Sequence, residues 1–233
     1  MKRALYSLSV LSILALAPAE AREFTNKAGK TISAEIESVS GEGADRKVTL
    51  KRADGKSFTI VADTLSDDDQ TFISDFAAEA AKGPSAFDSV LEGKLVKLDG
   101  KRVGKFVMTE KPDYYAFYYS ASWCGPCRKF TPDLVSFYNE HKDAGKKFEI
   151  VFVSSDRDAD AMEAYMKEDK FPFPGVKFRS AKDKEIKQYA GSGIPCLVLL
   201  DRDGKILSDS YVDGNYVGPR KVLADLQSAL GKE

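Results

Sequence analysis

The first third of the chain alternates apolar and polar residues over short stretches, a pattern typical of strands that bury one face. The stretches are Thr31–Val39, Lys47–Lys51 and Ser57–Val61. In the first of them, the residues predicted to share one face are Ile32, Ala34, Ile36 and Ser38. The last two stretches are separated by Asp54 and Gly55, and an Asp-Gly pair in this position predicts a hairpin turn.

A short helix is predicted after these strands. Ser66 with Asp69 three residues later can cap a helix that runs through Phe76. We therefore predict a small β-domain over residues 22–76, closed by this helix. Residues 77–88 begin as helix and contain a Gly-Pro break, which predicts a linker and the boundary between two domains.

Residues 89–233 follow a different pattern, in which apolar runs alternate with stretches of helical periodicity. Tyr114–Ala121 is almost continuously apolar, as expected of a central strand buried on both faces. The helix that follows has its apolar residues at Phe130, Leu134, Phe137 and Tyr138. The other predicted elements are a strand at Phe148–Val153, helices at Asp160–Lys167 and Lys182–Ala190, a hairpin of Cys196–Leu200 with Lys205–Ser208, and a last helix from Pro219. This order predicts an α/β domain with a central sheet flanked by helices.

The N-terminus has the pattern of a secretory signal peptide over residues 1–21. Lys2 and Arg3 precede the apolar run Ala4–Leu16, and small residues follow, so cleavage is expected after Ala21. The alternative is an uncleaved membrane anchor, but the run is shorter than the roughly 20 residues that a span needs. We expect an exported, periplasmic protein with no stable membrane insertion after cleavage.

Charge and composition exclude several kinds of partner and site. The net charge is −1 for the whole chain and becomes −2 without residues 1–21, a balance that does not support binding to nucleic acid or to an anionic membrane. Three cysteines are too few for a disulfide scaffold. With the single histidine, His141, they do not supply the four regularly spaced ligands of a zinc site. We expect no metal and no other cofactor.

The most informative segment joins the central strand to the helix after it and reads Trp123-Cys124-Gly125-Pro126-Cys127. Two cysteines three residues apart on a first helical turn can close a disulfide and reopen it. The free N–H groups and the positive end of the helix dipole stabilise a thiolate there. Pro126 fits a first turn, where its missing N–H costs little. We predict redox chemistry; a structural disulfide and half of a zinc site are the alternatives, the latter disfavoured because no second Cys pair exists.

The two cysteines have different predicted roles. Cys124, at the helix terminus, is expected to be exposed and nucleophilic. Cys127 lies one turn further on the inward stripe and is expected to resolve the mixed disulfide from inside. Trp123 is expected to offer an apolar surface to a substrate peptide.

Residues 90–230 resemble the thioredoxin superfamily, in particular its tryparedoxin and nucleoredoxin branch. The resemblance is carried by Tyr118–Pro132, by Val153–Asp156 and by Gly193–Pro195. It implies that Pro195 is cis, opposite the cysteine pair, and that the backbone of Ile194 pairs with substrate. The dipeptide Gly125-Pro126 resembles that of reducing thioredoxins, which favours a reductase.

Two residues depart from the thioredoxin pattern. Tyr118 occupies the position of a buried Asp that assists proton transfer to the inner thiol, so proton handling must use another group, such as water or Tyr118 itself. Cys196 follows the cis-proline position, where a small residue is usual. A third thiol there could exchange with Cys127, but a small buried residue at the start of a strand is the favoured interpretation.

Residues 22–75 resemble the small SH3-like domain called SLA-homology, which occurs in exported bacterial proteins. The features that match are Arg22–Thr25, the turn at Ala53–Lys56, and Leu65–Asp69. The resemblance implies a fold for this segment and leaves its role open.

These observations predict an exported reductase that acts on protein disulfides and receives electrons from an upstream thiol donor, such as a membrane relay. A disulfide oxidase or isomerase is an alternative, and its reduction potential would be higher. A non-catalytic scaffold that binds a partner through the β-domain is another; it would survive replacement of Cys124 and Cys127 by Ala. The paired cysteines argue against a peroxidase.

Overall fold

The computed structural model describes residues 21–109 and 111–231. The chain divides into two compact units, Met1–Gly83 and Pro84–Glu233. The apolar segment of the predicted signal peptide lies outside the described residues. Among the helices that are described, none combines the length and apolar character needed to cross a membrane.

The first unit is a four-stranded antiparallel sheet with one helix, and its strands are paired in chain order. Its elements are β1 (Arg22–Thr25), β2 (Thr31–Ser40), β3 (Lys47–Arg52), β4 (Ser57–Val61) and α1 (Asp67–Ala81). Phe24, Val48, Leu50 and Ile73 are completely buried in its core. The predicted hairpin turn joins β3 to β4, with Gly55 at a φ of +79°. The resemblance of this unit to an SLA-homology domain stays a prediction.

A β-bulge in β2 changes one predicted inward residue. The pairing of β2 with β3 shifts register between Ile36 and Ser38, so Glu37 is an extra residue in the ladder. The inward face then continues at Val39, which packs against the core opposite Val48. The prediction that Ser38 shares the face of Ile36 is therefore wrong, because the bulge breaks the two-residue period.

The start of α1 is fixed as predicted, and the helix extends into the segment that was predicted to begin as helix. The Ser66 side chain accepts a hydrogen bond from the Asp69 N–H, and the Asp69 carboxylate pairs with Arg22 at 2.7 Å. The helix continues from Phe76 through Ala77–Ala81, which consists of good helix formers, and it ends at Ala81.

The second unit is built on a seven-stranded mixed sheet of order β11-β10-β7-β8-β9-β5-β6. Its elements are α2 (Asp88–Leu91), β5 (Leu95–Asp99), β6 (Arg102–Phe106), β7 (Tyr114–Ser120), α3 (Gly125–Asp143), β8 (Phe148–Ser154), α4 (Ala159–Glu168), β9 (Gly175–Val176), α5 (Lys184–Lys187), β10 (Cys196–Asp201), β11 (Ile206–Asp209), β12 (Tyr211–Val212), β13 (Asn215–Tyr216) and α6 (Pro219–Leu230). Strands β12 and β13 form a separate small hairpin. The predicted α/β architecture is confirmed.

Both faces of the large sheet are covered, which explains the continuous apolar runs of its central strands. Residues of α3, α4 and α6 pack on one face against alternate residues of β7, β8 and β10, such as Tyr118 and Phe152. The short helices α2 and α5 cover the other face, where Phe117 and Val151 lie. The predicted helix at Lys182–Ala190 is shorter than expected, because Asp183 has the extended ψ of 138° and interrupts it.

Candidate active site

The site forms where β7 ends and α3 begins. Strand β7 is a central strand that pairs with β8 on one side and β10 on the other, so the position of its C-terminal end is fixed by both neighbours. Cys124 is the N-cap of α3, with an extended φ and ψ of −86° and 104°, and Gly125 and Pro126 open the helix. The proline costs no hydrogen bond here because the first N–H groups of a helix have no internal partner.

Cys124 and Cys127 form a disulfide, and their Cα atoms lie 5.2 Å apart. The N–H of Cys127 donates to the Cys124 Sγ at 3.2 Å, so the sulfur also serves as the helix cap. Cys127 is completely buried, and Cys124 is 5% exposed. The prediction of an exposed Cys124 is therefore wrong for this disulfide form, because Ala121, Cys127 and Ile194 pack around it. What remains accessible of the pair belongs to Cys124.

A second loop meets the disulfide from a distant part of the chain. The Ile194–Pro195 peptide bond is cis, as the resemblance implies. The Ile194 carbonyl lies 3.8 Å from the Cys124 Sγ. Strand β10 starts at Cys196, directly after Pro195, and pairs with β7, which holds this loop against the start of α3. The structure thus brings together Cys124, Cys127, Ile194 and Pro195, as predicted.

The rim of the site is apolar and open on one side. Trp123 is 64% exposed, which is a high fraction because tryptophan side chains are on average largely buried. Gly125 and Pro126 are also exposed. The residues that flank Cys124 in the chain are therefore exposed, whereas Cys124 itself is buried.

Asp156 holds the loop that carries Trp123, a role that sequence reasoning missed. Its nearly buried carboxylate accepts hydrogen bonds from the Ser122 N–H at 2.8 Å, the Ser122 hydroxyl at 2.7 Å and the Ser154 hydroxyl at 2.8 Å. Bonds to a charged acceptor are stronger than neutral ones. The available signal was the motif Val153–Asp156, which begins in the last residues of the buried strand β8.

Tyr118 belongs to a buried network of hydroxyl groups behind Cys127. The Tyr118 hydroxyl lies 2.9 Å from that of Thr131, which donates to the Cys127 carbonyl at 3.0 Å. The Tyr165 hydroxyl continues the network to Ser120. Burial raises the pKa of Tyr118 far above its ordinary value, so it stays protonated and cannot act as a base near neutral pH. Its link to Cys127 runs through the backbone carbonyl.

Cys196 is adjacent to the cis-proline but is not part of the redox pair. It is a free, completely buried thiol on the sheet face opposite α3. Burial raises the pKa of Cys196 to about 11, with a smaller opposing effect from a hydrogen bond to the Gly191 backbone. A thiol of this kind is a poor nucleophile, which agrees with the favoured interpretation of a small core residue.

Known proteins resemble the part of the chain that holds this site. Residues 112–206 match the family model Thioredoxin_8, described as thioredoxin-like. Nucleoredoxin of Bos taurus is 34% identical over 128 residues, covering 54% of this chain and 28% of that protein. Tryparedoxin of Trypanosoma brucei brucei is 37% identical over 106 residues, covering 45% of this chain and 66% of that protein. Native tryparedoxin I of Crithidia fasciculata aligns over 60% of this chain and 92% of its own, at 30% identity and a TM-score of 0.47.

The second unit therefore has a thioredoxin-like fold, and the matched segment contains the cysteine pair and the cis-proline. The chain spans only 28% of the length of the bovine nucleoredoxin that it matches. Within residues 21–109 and 111–231, no three His, Cys, Asp or Glu side chains are grouped so that they could hold a metal ion.

Proposed function

We propose that this chain, whose residues 112–206 match a thioredoxin-like family model, is a thiol–disulfide oxidoreductase that reduces protein disulfides. The observation that carries the proposal is the geometry of the Cys124–Cys127 disulfide. It closes the first turn of α3, next to the carbonyl of Ile194 and beside the exposed Trp123. The roles of these residues as catalytic and substrate-binding groups are part of the proposal.

The reaction transfers two electrons and two protons. An upstream dithiol first reduces the Cys124–Cys127 bond and is itself oxidised to a disulfide. The Cys124 thiolate then attacks one sulfur of a substrate disulfide; the substrate S–S bond breaks, and the departing sulfur takes up a proton. The Cys127 thiolate attacks the Cys124 sulfur of this mixed disulfide, the second substrate thiol leaves with a proton, and the intramolecular bond is restored.

The start of α3 favours the thiolate that this sequence of steps needs. After reduction, the Cys127 N–H that lies 3.2 Å from the Cys124 sulfur can donate to a negative charge on it. The helix dipole acts in the same direction. Cys127 is buried one turn behind and is covered until the mixed disulfide forms. This difference in access supports Cys124 as the attacking thiol.

The reducing direction and the place of action are further parts of the proposal. The Gly125-Pro126 dipeptide between the cysteines supports a reductase. The charge and apolar pattern of residues 1–21 supports export to the periplasm, where a thiol relay in the membrane would supply electrons. Sequencing the N-terminus of the protein recovered from a periplasmic fraction tests this: we expect Arg22 first, and an intact Met1 in the cytoplasmic fraction would contradict export.

Trapping of the mixed disulfide tests the chemistry directly. A Cys127→Ser variant cannot resolve the intermediate, so we expect it to accumulate covalent adducts with disulfide proteins that dithiothreitol releases. Cys196→Ala in the same background is the matched control and should trap equally well. Adducts that persist when Cys124 is also replaced, or that require Cys196, would contradict the proposal.

A further inference from the structure

The β12–β13 hairpin is a short two-stranded sheet, separate from the seven-stranded sheet. Its turn residues, Asp213 and Gly214, have φ values of 49° and 78°, as a tight hairpin turn requires. Its base is tied down, because Val217 and Gly218 donate backbone hydrogen bonds to the Ser210 carbonyl. The hairpin is thus a fixed feature of the unit.

Hydrogen bonding and packing fix the hairpin to the cis-proline loop. The Tyr216 hydroxyl donates to the Pro195 carbonyl at 2.9 Å. The ring of Tyr211 lies 5.1 Å from that of Tyr216 and covers Gly191, where a Cβ atom would collide with it. A Cβ atom at Gly193 would lie 3.0 Å from the Tyr211 hydroxyl. The loop before Pro195 is therefore shaped to receive the two tyrosines.

The outer side of the hairpin is apolar and open. Tyr216 is 51% exposed although its hydroxyl is bound. Val212 is also exposed, but it pairs with Asn215 and therefore points to the other face of the hairpin. Tyr216 is thus an exposed aromatic ring fixed to the cis-proline loop that borders the cysteine pair. The hydroxyl of Tyr216 is used internally, so what it offers outward is its ring.

The cis-proline loop connects the hairpin to the redox pair, and this limits which part of a substrate can contact the hairpin. The Ile194 carbonyl is 3.8 Å from the Cys124 sulfur, and Tyr216 binds the next carbonyl along the chain. A substrate cysteine bonded to Cys124 must therefore place its neighbouring residues close to the hairpin. The Tyr216 hydroxyl uses one of the two lone pairs of the Pro195 carbonyl, and its exposed ring is available for contact with a substrate side chain.

We propose that the β12–β13 hairpin is a specificity surface that binds an apolar side chain next to the reacting cysteine of an extended substrate segment. The Tyr216 ring is the specificity-determining group, and its hydroxyl positions the Pro195 loop. This inference rests on the proposed function. It identifies the substrates as disulfides in unfolded or exposed segments with apolar neighbours, rather than small polar disulfides.

Two peptide probes test the inference with dithiothreitol as the electron donor. Each is a short peptide dimerised through one cysteine, flanked by leucines in one and by serines in the other. We expect the wild type to prefer the leucine peptide by about tenfold in kcat/KM, the effect of partly burying a leucine side chain. Tyr216→Ala should bring the ratio to about one, whereas Tyr216→Phe should keep it. Ile206→Ala, at an exposed apolar residue of β11, is the control and should also keep it.

The outcomes separate the inference from the function on which it rests. A Tyr216→Ala variant with the wild-type ratio would overturn the inference, and so would wild type without leucine preference, while turnover of both peptides would leave the proposed function standing. If the wild type reduced neither peptide and did not reduce oxidised glutathione, both the inference and the proposed function would be wrong. If Tyr216→Ala changes only the oligomeric state, the surface joins copies of this chain and the inference is wrong.

Discussion

Two regions of the second unit carry cysteines, and they surround the sulfur atoms in opposite ways. At the start of α3, the Cys124 sulfur caps a helix and receives the Cys127 N–H, and the residue is 5% exposed. At the start of β10, Cys196 lies against the sheet core, and burial raises its pKa to about 11. Both sulfur atoms receive a backbone hydrogen bond, from Cys127 and from Gly191, but only Cys124 lies at a helix N-terminus and keeps some exposure. The comparison leads us to expect a reactive thiol at Cys124 and an unreactive one at Cys196.

The same substitution at the two regions should give the largest difference. Cys124→Ala removes the attacking sulfur, so we expect kcat/KM for protein disulfide reduction to fall by at least about a thousandfold. Cys196→Ala removes a thiol that takes no part in the exchange, and its activity should stay within about twofold of the wild type. Steady-state assays with dithiothreitol as donor measure both. Equal losses in the two variants would end the distinction between the regions.

Alkylation of the reduced protein should show the next largest effect. At pH 8, a thiol of pKa about 11 is ionised to only about one part in a thousand. Iodoacetamide should therefore label Cys124 first and label native Cys196 at least about a hundredfold more slowly than Cys196 in urea. Mass spectrometry of the tryptic peptides gives both rates. Labelling of native Cys196 at the rate found in urea would contradict its burial.

The raised pKa of Cys196 also predicts a pH dependence of stability. The folded state holds this proton more tightly than the unfolded state, so the stabilisation is complete below the unfolded pKa and is lost as the pH rises through about 11. Cys196→Ala should lack this loss between pH 9 and 11. Urea titrations at several pH values test it, and parallel curves for the two proteins would contradict it.

Each region depends on one buried polar residue, and removing these residues should have smaller effects. Asp156→Ala leaves three donors of the active-site loop without their acceptor and should cost about 2 kcal/mol. Ser210→Ala removes the hydroxyl that binds both backbone groups of Leu197 and should cost about 1 kcal/mol. The fluorescence of Trp123 during urea unfolding reports both, and Asp156→Asn is the conservative control. A larger loss of unfolding free energy in Ser210→Ala than in Asp156→Ala would contradict this prediction.

Most of the fold could be predicted because its signals are local. The apolar run of β7, the helical stripe of α3 and the cap at Ser66 each lie within one stretch of sequence. Strands β5 and β6 were not predicted. β6 has only two apolar residues, Val103 and Phe106, so its alternation is weak, although it pairs with β5 in a local hairpin. β5 also pairs with β9, a partner far away in sequence.

The site could be predicted only as far as its motif extends. Cys124 and Cys127 are three residues apart, and their pairing follows from the start of one helix. Asp156 acts on Ser122 across 34 positions, and Tyr216 acts on Pro195 across 21. Such partners meet only in the folded sheet, so their pairing could not be predicted from spacing; the motif Val153–Asp156 singled out Asp156 without showing its partner.

The central claim is that Cys124 and Cys127 form a reversible redox couple, and its reduction potential tests this most directly. Trp123 is the only tryptophan and adjoins the pair, so its fluorescence in dithiothreitol and glutathione buffers reports the state of the disulfide. We predict a reversible two-electron transition at about −270 mV, the value of reducing thioredoxins. A transition near about −120 mV would contradict the reducing direction. The absence of any reversible transition would contradict the redox function itself.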